Sequence, residues 1–133
     1  MSEEKVETVR HMVDAWDRDD LDKAFAYLAP EVEFHTSRRF ADEGVYRGRA
    51  GLERLLAEWR EDLEGQRTSV SDVRVVGEDV VVVAALLTGR GRRSKAEFRE
   101  RLWYVVRFRD GSVVRIETYL DSAHALEAAG VRE

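Results

Sequence analysis

The chain has 133 residues, the size of one domain and enough to bury a core. Apolar residues are 44% and charged residues 37%, which describes a globular protein with a heavily charged surface rather than a disordered one. A net charge of −5 without a basic block speaks against nucleic acid and anionic membranes as partners, and the lack of cysteine excludes disulfides, thiolate catalysis and Cys-based metal sites.

The N-terminus, MSEEKVETVRH, is acidic and has no apolar h-region, so it does not read as a signal peptide. The longest apolar run, residues 80–87, is too short to span a bilayer. A soluble cytoplasmic protein of one domain, residues 1–133, is expected. Residues 3–28 read as helix in two pieces. Val6, Val9, Val13 and Trp16 recur at helical spacing, then Leu21, Ala24, Phe25 and Leu28. DRDD (17–20) interrupts them, Asp20 is the expected N-cap of the second piece, and Pro30 ends it. EVEFHT (31–36) alternates and predicts a short strand. SRRFADEGVYRG reads as a polar loop. A third helix is expected over 50–63, with Leu52, Leu55, Leu56 and Trp59 on one face and Gly65 as its stop.

From Arg67 the pattern turns to strands, at 67–76, 79–90, 95–109 and 112–120, with hairpin chemistry at Gly77–Asp79 and Arg109–Ser112. Helices first and a meander after predict an α+β domain. In the third of these strands, side chains alternate across the sheet. Phe98, Glu100, Leu102, Tyr104, Val106 and Phe108 share the face expected to meet the helices. Glu97, Arg99, Arg101, Trp103, Val105, Arg107 and Arg109 share the other, which is expected to serve as a dimer surface. In the last strand Ile116, Thr118 and Leu120 are expected inward. Ser122–Ala129 reads as a closing helix, capped by Asp121 and ended by Gly130.

The order of elements, with VYRGRAGLERLLAEW, VVRFRDGSVVRIETYLD and ALEAAGV, closely resembles the SnoaL-like families of the nuclear-transport-factor-2-like superfamily. The resemblance covers nearly the whole chain. It implies a cystatin-like cone: three N-terminal helices on a strongly curved mixed or antiparallel sheet that encloses a pocket, often as a homodimer through the outer sheet face, here Trp103 and Val105. Relatives include polyketide cyclases, ketosteroid isomerases, dehydratases, epoxide hydrolases and non-catalytic binding modules, so fold is informative and function much less so. Ketosteroid isomerases place a Tyr in the first helix, a base Asp at the end of the first strand and a protonated Asp in the long strand. Ungapped, those places fall near Met12, Phe34 and Tyr104. Phe34 cannot abstract a proton, which argues against that activity unless a one-residue shift brings Glu33 or His35 to the base position.

Three residues are the candidates for acid/base work. His35 follows Phe34 at the expected cavity mouth, where an imidazole could exchange a proton or bind a carboxylate; the alternative is an outward side chain. Glu100 on an apolar face would have its pKa raised by desolvation; the alternative is a carboxylate satisfied by Tyr104, Tyr46 or a helix residue. Tyr104 offers a hydroxyl. Trp16, Phe34, Phe40, Tyr46, Trp59, Phe98, Thr118 and Leu120 are the expected substrate-binding wall. Arg38, Arg39, Asp42 and Glu43 form a charged loop. Asp121 and His124 read as a helix cap and its neighbour. His11, His35 and His124 are scattered, so no metal is expected, and no cofactor. Two functions follow. One is binding of a small apolar, polyketide- or terpenoid-like molecule with cofactor-free isomerase, cyclase, dehydratase or hydrolase chemistry. The other is a non-catalytic homodimeric module for a ligand or a protein.

Overall fold

The computed structural model describes residues 2–36 and 44–131. In chain order the elements are α1 (Ser2–Asp17), α2 (Leu21–Phe25), β1 (Leu28–His35), β2 (Val45–Arg47), α3 (Gly48–Asp62), β3 (Leu63–Val76), β4 (Val80–Gly91), β5 (Glu97–Arg109), β6 (Ser112–Tyr119) and α4 (Ser122–Ala129). The strands form one sheet in the order β2-β1-β6-β5-β4-β3. All pairings are antiparallel except β1 with β6, so the sheet is mixed. Register shifts interrupt β1/β6, β3/β4 and β5/β6, and bulges of this kind bend a sheet into a curve.

Local chemistry explains most boundaries. Asp20 caps α2 by accepting the Lys23 N–H at 3.4 Å. Asp121 caps α4 from the His124 N–H at 2.8 Å, and Gly130 closes it in the left-handed region at φ 95°. The β5–β6 turn puts Asp110 and Gly111 both at positive φ, as a two-residue hairpin loop demands. Gly48 starts α3 at φ 67°, and a Cβ there would lie 3.3 Å from the Pro30 carbonyl oxygen.

The structure departs from the sequence reading in several places. Helix α2 ends at Phe25, and Leu28 and Pro30, read as the helix's last turn and its stop, lie in β1. VYR (45–47), read as loop, is edge strand β2, paired with β1. Helix α3 ends at Asp62 and the chain passes straight into β3; Gly65 sits inside β3 at φ 64°, at a register shift, so it makes a bulge rather than a stop. Only α1 and α2 precede the sheet, and α3 is inserted between β2 and β3. Finally, α4 crosses the outer sheet face. Ala125 packs there on Val82 and Val105, with Trp103, Tyr119 and Leu126 around them. Val105 is 0% exposed, so it is not part of the open surface expected for a dimer contact, and Trp103 is half-buried.

The principal core lies on the other face, between the sheet and α1–α3. Val9, Leu52, Leu55, Val83, Val106 and Phe108 are among its buried members. No helix of the described residues is long and apolar enough to cross a membrane.

Candidate functional site

Alternation along the strands decides what reaches the interior. On β1, Phe34 points inward and pairs across with Ile116 of β6 and Tyr46 of β2. On β5, Tyr104 and Val106 point inward, opposite Val83 and Val81 of β4. The valines of α1 recur every third or fourth residue, so one stripe of that helix faces this surface. Between them is a cavity of about 80 Å³ lined by Val9, Met12, Val13, Trp16, Ala24, Leu28, Phe34, Leu52, Thr68, Tyr104, Val106 and Ile116. A water needs roughly 10–15 Å³ on this measure, so the space holds several waters or a small compact organic group.

Two of its wall residues, Trp16 and Thr68, also line a second, polar cleft of about 300 Å³, together with Asp17, Asp19, Trp59, Arg60, Glu64, Gln66, Arg92 and others. Apolar cavity and polar cleft therefore meet at the end of α1.

The polar groups at this junction are few. Tyr104 brings its ring to the cavity and makes no hydrogen bond to a described residue. Burial, and secondarily the charge of Asp17, push its phenol pKa up, so the hydroxyl stays protonated and able to donate. Thr118, paired directly with Tyr104 across β5 and β6, has a buried Oγ1 without a hydrogen-bond partner; so has the indole N–H of Trp59. Asp17 accepts the Thr68 backbone N–H at 2.7 Å. Its carboxyl is raised above the ordinary range, chiefly by burial, with the Thr68 bond and the Arg67 charge pulling the other way.

Of the three expected acid/base residues, the structure brings only Tyr104 to the cavity wall. His35 stands on the outer face, because Phe34 before it points in; its Nε2 lies 2.9 Å from Glu33 Oε1, and Glu33 also accepts from Arg47 Nε at 3.2 Å. Glu100 is half-buried on the inward side of β5, opposite Leu87, and is not among the residues that line the cavity. Of the expected binding wall, Trp16 and Phe34 line the cavity. Trp59 lines the cleft and packs edge-on to Phe34 at 6.3 Å. Tyr46 is buried elsewhere, its hydroxyl donating to Glu58 at 2.8 Å. The Phe98 ring covers Gly89, and Leu120 is 39% exposed beyond the end of β6. Phe40, with Arg38, Arg39, Asp42 and Glu43, lies outside the described residues. Among the described residues no group of His, Cys, Asp and Glu could hold a metal ion.

Asp17 was not singled out from the sequence. Its signal was its spacing: it stands four residues after Val13, on the same stripe as Val9 and Val13, so the charged run DRDD begins on the buried side of the helix.

An α+β cone whose curved sheet and first helices enclose an apolar cavity is a fold for holding small molecules. The chain belongs to the SnoaL-like domain family, whose model matches residues 9–116. No curated protein matches its sequence significantly. Among solved structures, an NTF2-like protein of unknown function from Burkholderia pseudomallei K96243 is 19% identical and superposes with a TM-score of 0.80, over 96% of this chain and 98% of that one. TerC, co-crystallised with polyporic acid, is 20% identical over 96% of this chain and 99% of its own, with a TM-score of 0.80. An NTF2-like protein from Burkholderia xenovorans LB400 is 25% identical over 96% and 97%, with a TM-score of 0.73. At these identities the likeness is one of fold.

Proposed function

We propose that the chain acts as one domain, residues 1–133, that binds a small and largely apolar molecule in the cavity between α1 and the inner sheet face, with Tyr104 as its polar contact. The observation that carries this reading is the cavity itself. It is apolar on nearly every side, yet contains a phenol with no hydrogen-bond partner among the described residues. A hydroxyl in an apolar wall with no partner of its own is available to a ligand. The complex of TerC with polyporic acid supports the reading as a case of the same fold with a small organic molecule.

Cofactor-free isomerase, cyclase or dehydratase chemistry is the second reading, and Tyr104 favours it. A protonated phenol in a dry pocket can donate to a carbonyl oxygen as charge develops on it. The base that such chemistry needs is then Asp17 at the cavity's edge or Glu100 further along β5, rather than His35 on the outer face. If neither acts, the protein is a binding module.

Filling the cavity tests the first reading. Ala24 is 0% exposed and lines the cavity, so Ala24→Leu adds carbon atoms into its space. Wild-type protein should bind cyclohexanone or a similar compact ketone in a calorimetric titration, and Ala24→Leu should lose that binding while keeping its thermal midpoint. Equal binding by the two proteins would place the ligand elsewhere and end the proposal.

A further inference from the structure

The charges in the cleft beside the cavity are matched, with one exception among the described residues. Asp19 pairs with Arg60. Glu64 pairs with Lys95 at 3.0 Å and with Arg92 at 3.6 Å. Arg92 also donates to the carbonyl oxygens of Arg60 and Leu63. Asp17 has no cation. Thr68 is its only hydrogen-bond partner among the described residues, and Arg67 reaches it through the field without forming an ion pair.

A partly buried carboxylate without a cation is disfavoured, and it persists where something else supplies the missing charge. The surroundings suit a cation. Trp16 and Trp59 share the cleft wall with Asp17, and indole faces attract ammonium groups. The cleft carries three carboxylates against two arginines, and both arginines are already held. An anionic head group would therefore meet repulsion, with neither arginine of the cleft wall free to receive it. Trp16 and Thr68 line both spaces, so the apolar cavity and the cleft that holds Asp17 lie side by side at the end of α1.

We propose that cavity and cleft form one site for a small amphiphilic amine, its apolar body in the cavity and its ammonium on Asp17 beside the indoles of Trp16 and Trp59. The proposal rests on the cavity reading above and adds the chemistry of the head group.

Three probes with one body separate the two claims: cyclohexylmethylamine, cyclohexylmethanol and cyclohexanecarboxylate, each titrated calorimetrically into the full chain at neutral pH. The amine should bind about tenfold or more tighter than the alcohol, the gain expected of a charge-assisted contact, and the carboxylate weakest of all. Asp17→Asn keeps an acceptor for the Thr68 N–H, so it should fold. It should erase the amine's advantage and leave alcohol binding within about twofold. Amine and alcohol of equal affinity in wild type, or an amine advantage that survives Asp17→Asn, would overturn the proposal and leave the cavity reading standing. If none of the three probes binds, both readings fall.

Discussion

The two faces of the sheet differ in how they pair their charged groups. On the outer face Glu117 is 6% exposed, yet it sits among three partners. Arg107 Nη2 and the Tyr119 hydroxyl each donate to Oε1 at 3.2 Å, and Arg115 Nε lies 2.7 Å from Oε2 as an ion pair whose geometry falls short of a hydrogen bond. Arg107 also donates to the Ala128 carbonyl at 2.9 Å, which ties the end of α4 to the sheet. Glu33, His35 and Arg47 form a second matched group nearby. On the inner face, by contrast, the Tyr104 hydroxyl and Thr118 Oγ1 have no partner among the described residues, and Asp17 has no cation. Paired polar groups hold an architecture together. Unpaired ones at the edge of a cavity are what a site for a ligand leaves behind.

Substitutions on the two faces should therefore diverge in stability. Glu117→Ala leaves Arg107 and Arg115 crowded without their carboxylate and frees the end of α4. Breaking a buried pair costs roughly 3–5 kcal/mol, and because the two arginines reach solvent the low end, about 3 kcal/mol, is expected in urea unfolding. Tyr104→Phe should change stability by less than about 1 kcal/mol, since the lost hydroxyl has no partner to abandon. The same variant should weaken binding of cyclohexanone by about tenfold, because a buried hydrogen bond to the ligand's oxygen goes with it. Comparable stability losses in both variants would erase the distinction between the faces.

Asp17→Asn sharpens the inner half. The native carboxyl has its pKa raised by burial. A group raised in the folded state adds stability below its unfolded value of 3.8 and loses it as pH rises through the folded value. At neutral pH the charge is therefore a net burden, and Asn, which keeps the Thr68 contact, should raise the thermal midpoint. The gain should vanish at pH values below 3.8, where Asp17 is protonated in both states. A lower midpoint at neutral pH would mean that Asp17 serves the fold. A residue that weakens the fold and strengthens binding is the usual mark of function.

What could be read in the sequence follows the range of the forces involved. The bounds of α4, its Asp121 cap and its Gly130 stop are set within one turn of chain, and the structure matches them residue for residue. The alternation of β5 likewise told inside from outside, because a strand's pleat is local. The features that escaped are those fixed by distant chain. VYR has too little length to signal a strand and becomes β2 only because β1 lies beside it. Val105 looked exposed because nothing in its own strand says that α4 will fold back over it. His35 and Phe34 are adjacent, and which of them faces the cavity depends on the pairing of β1 with β6, far along the chain. Asp17 matters through Thr68 and Tyr104, both remote in sequence.

The smallest expected effect concerns the pair at the start of α4. Asp121 accepts the His124 backbone N–H, and its Oδ2 meets the imidazole Nδ1 at 2.5 Å. The bond from the backbone, and then the imidazole, lower the Asp121 pKa; the Asp121 carboxylate raises that of His124. Both side chains are exposed, so solvent screens the pair and the effect on global stability is slight. The signs are still definite. The carboxylate's contribution is present above 3.8 and is lost as pH falls through its lowered folded value. The imidazolium's contribution is present below 6.5 and is lost as pH rises through its raised folded value. Helix α4 should therefore resist opening best between these limits, read as slowed amide exchange of its last turns after correction for intrinsic rates. In Asp121→Asn the cap acceptor remains but its charge does not, so the NMR titration midpoint of His124 should fall back toward 6.5. An unmoved midpoint would show that the two side chains do not interact in solution. Because α4 lies over Val105 on the matched face, none of these changes should reach ligand binding at Tyr104, and any that did would couple two faces that the structure keeps apart.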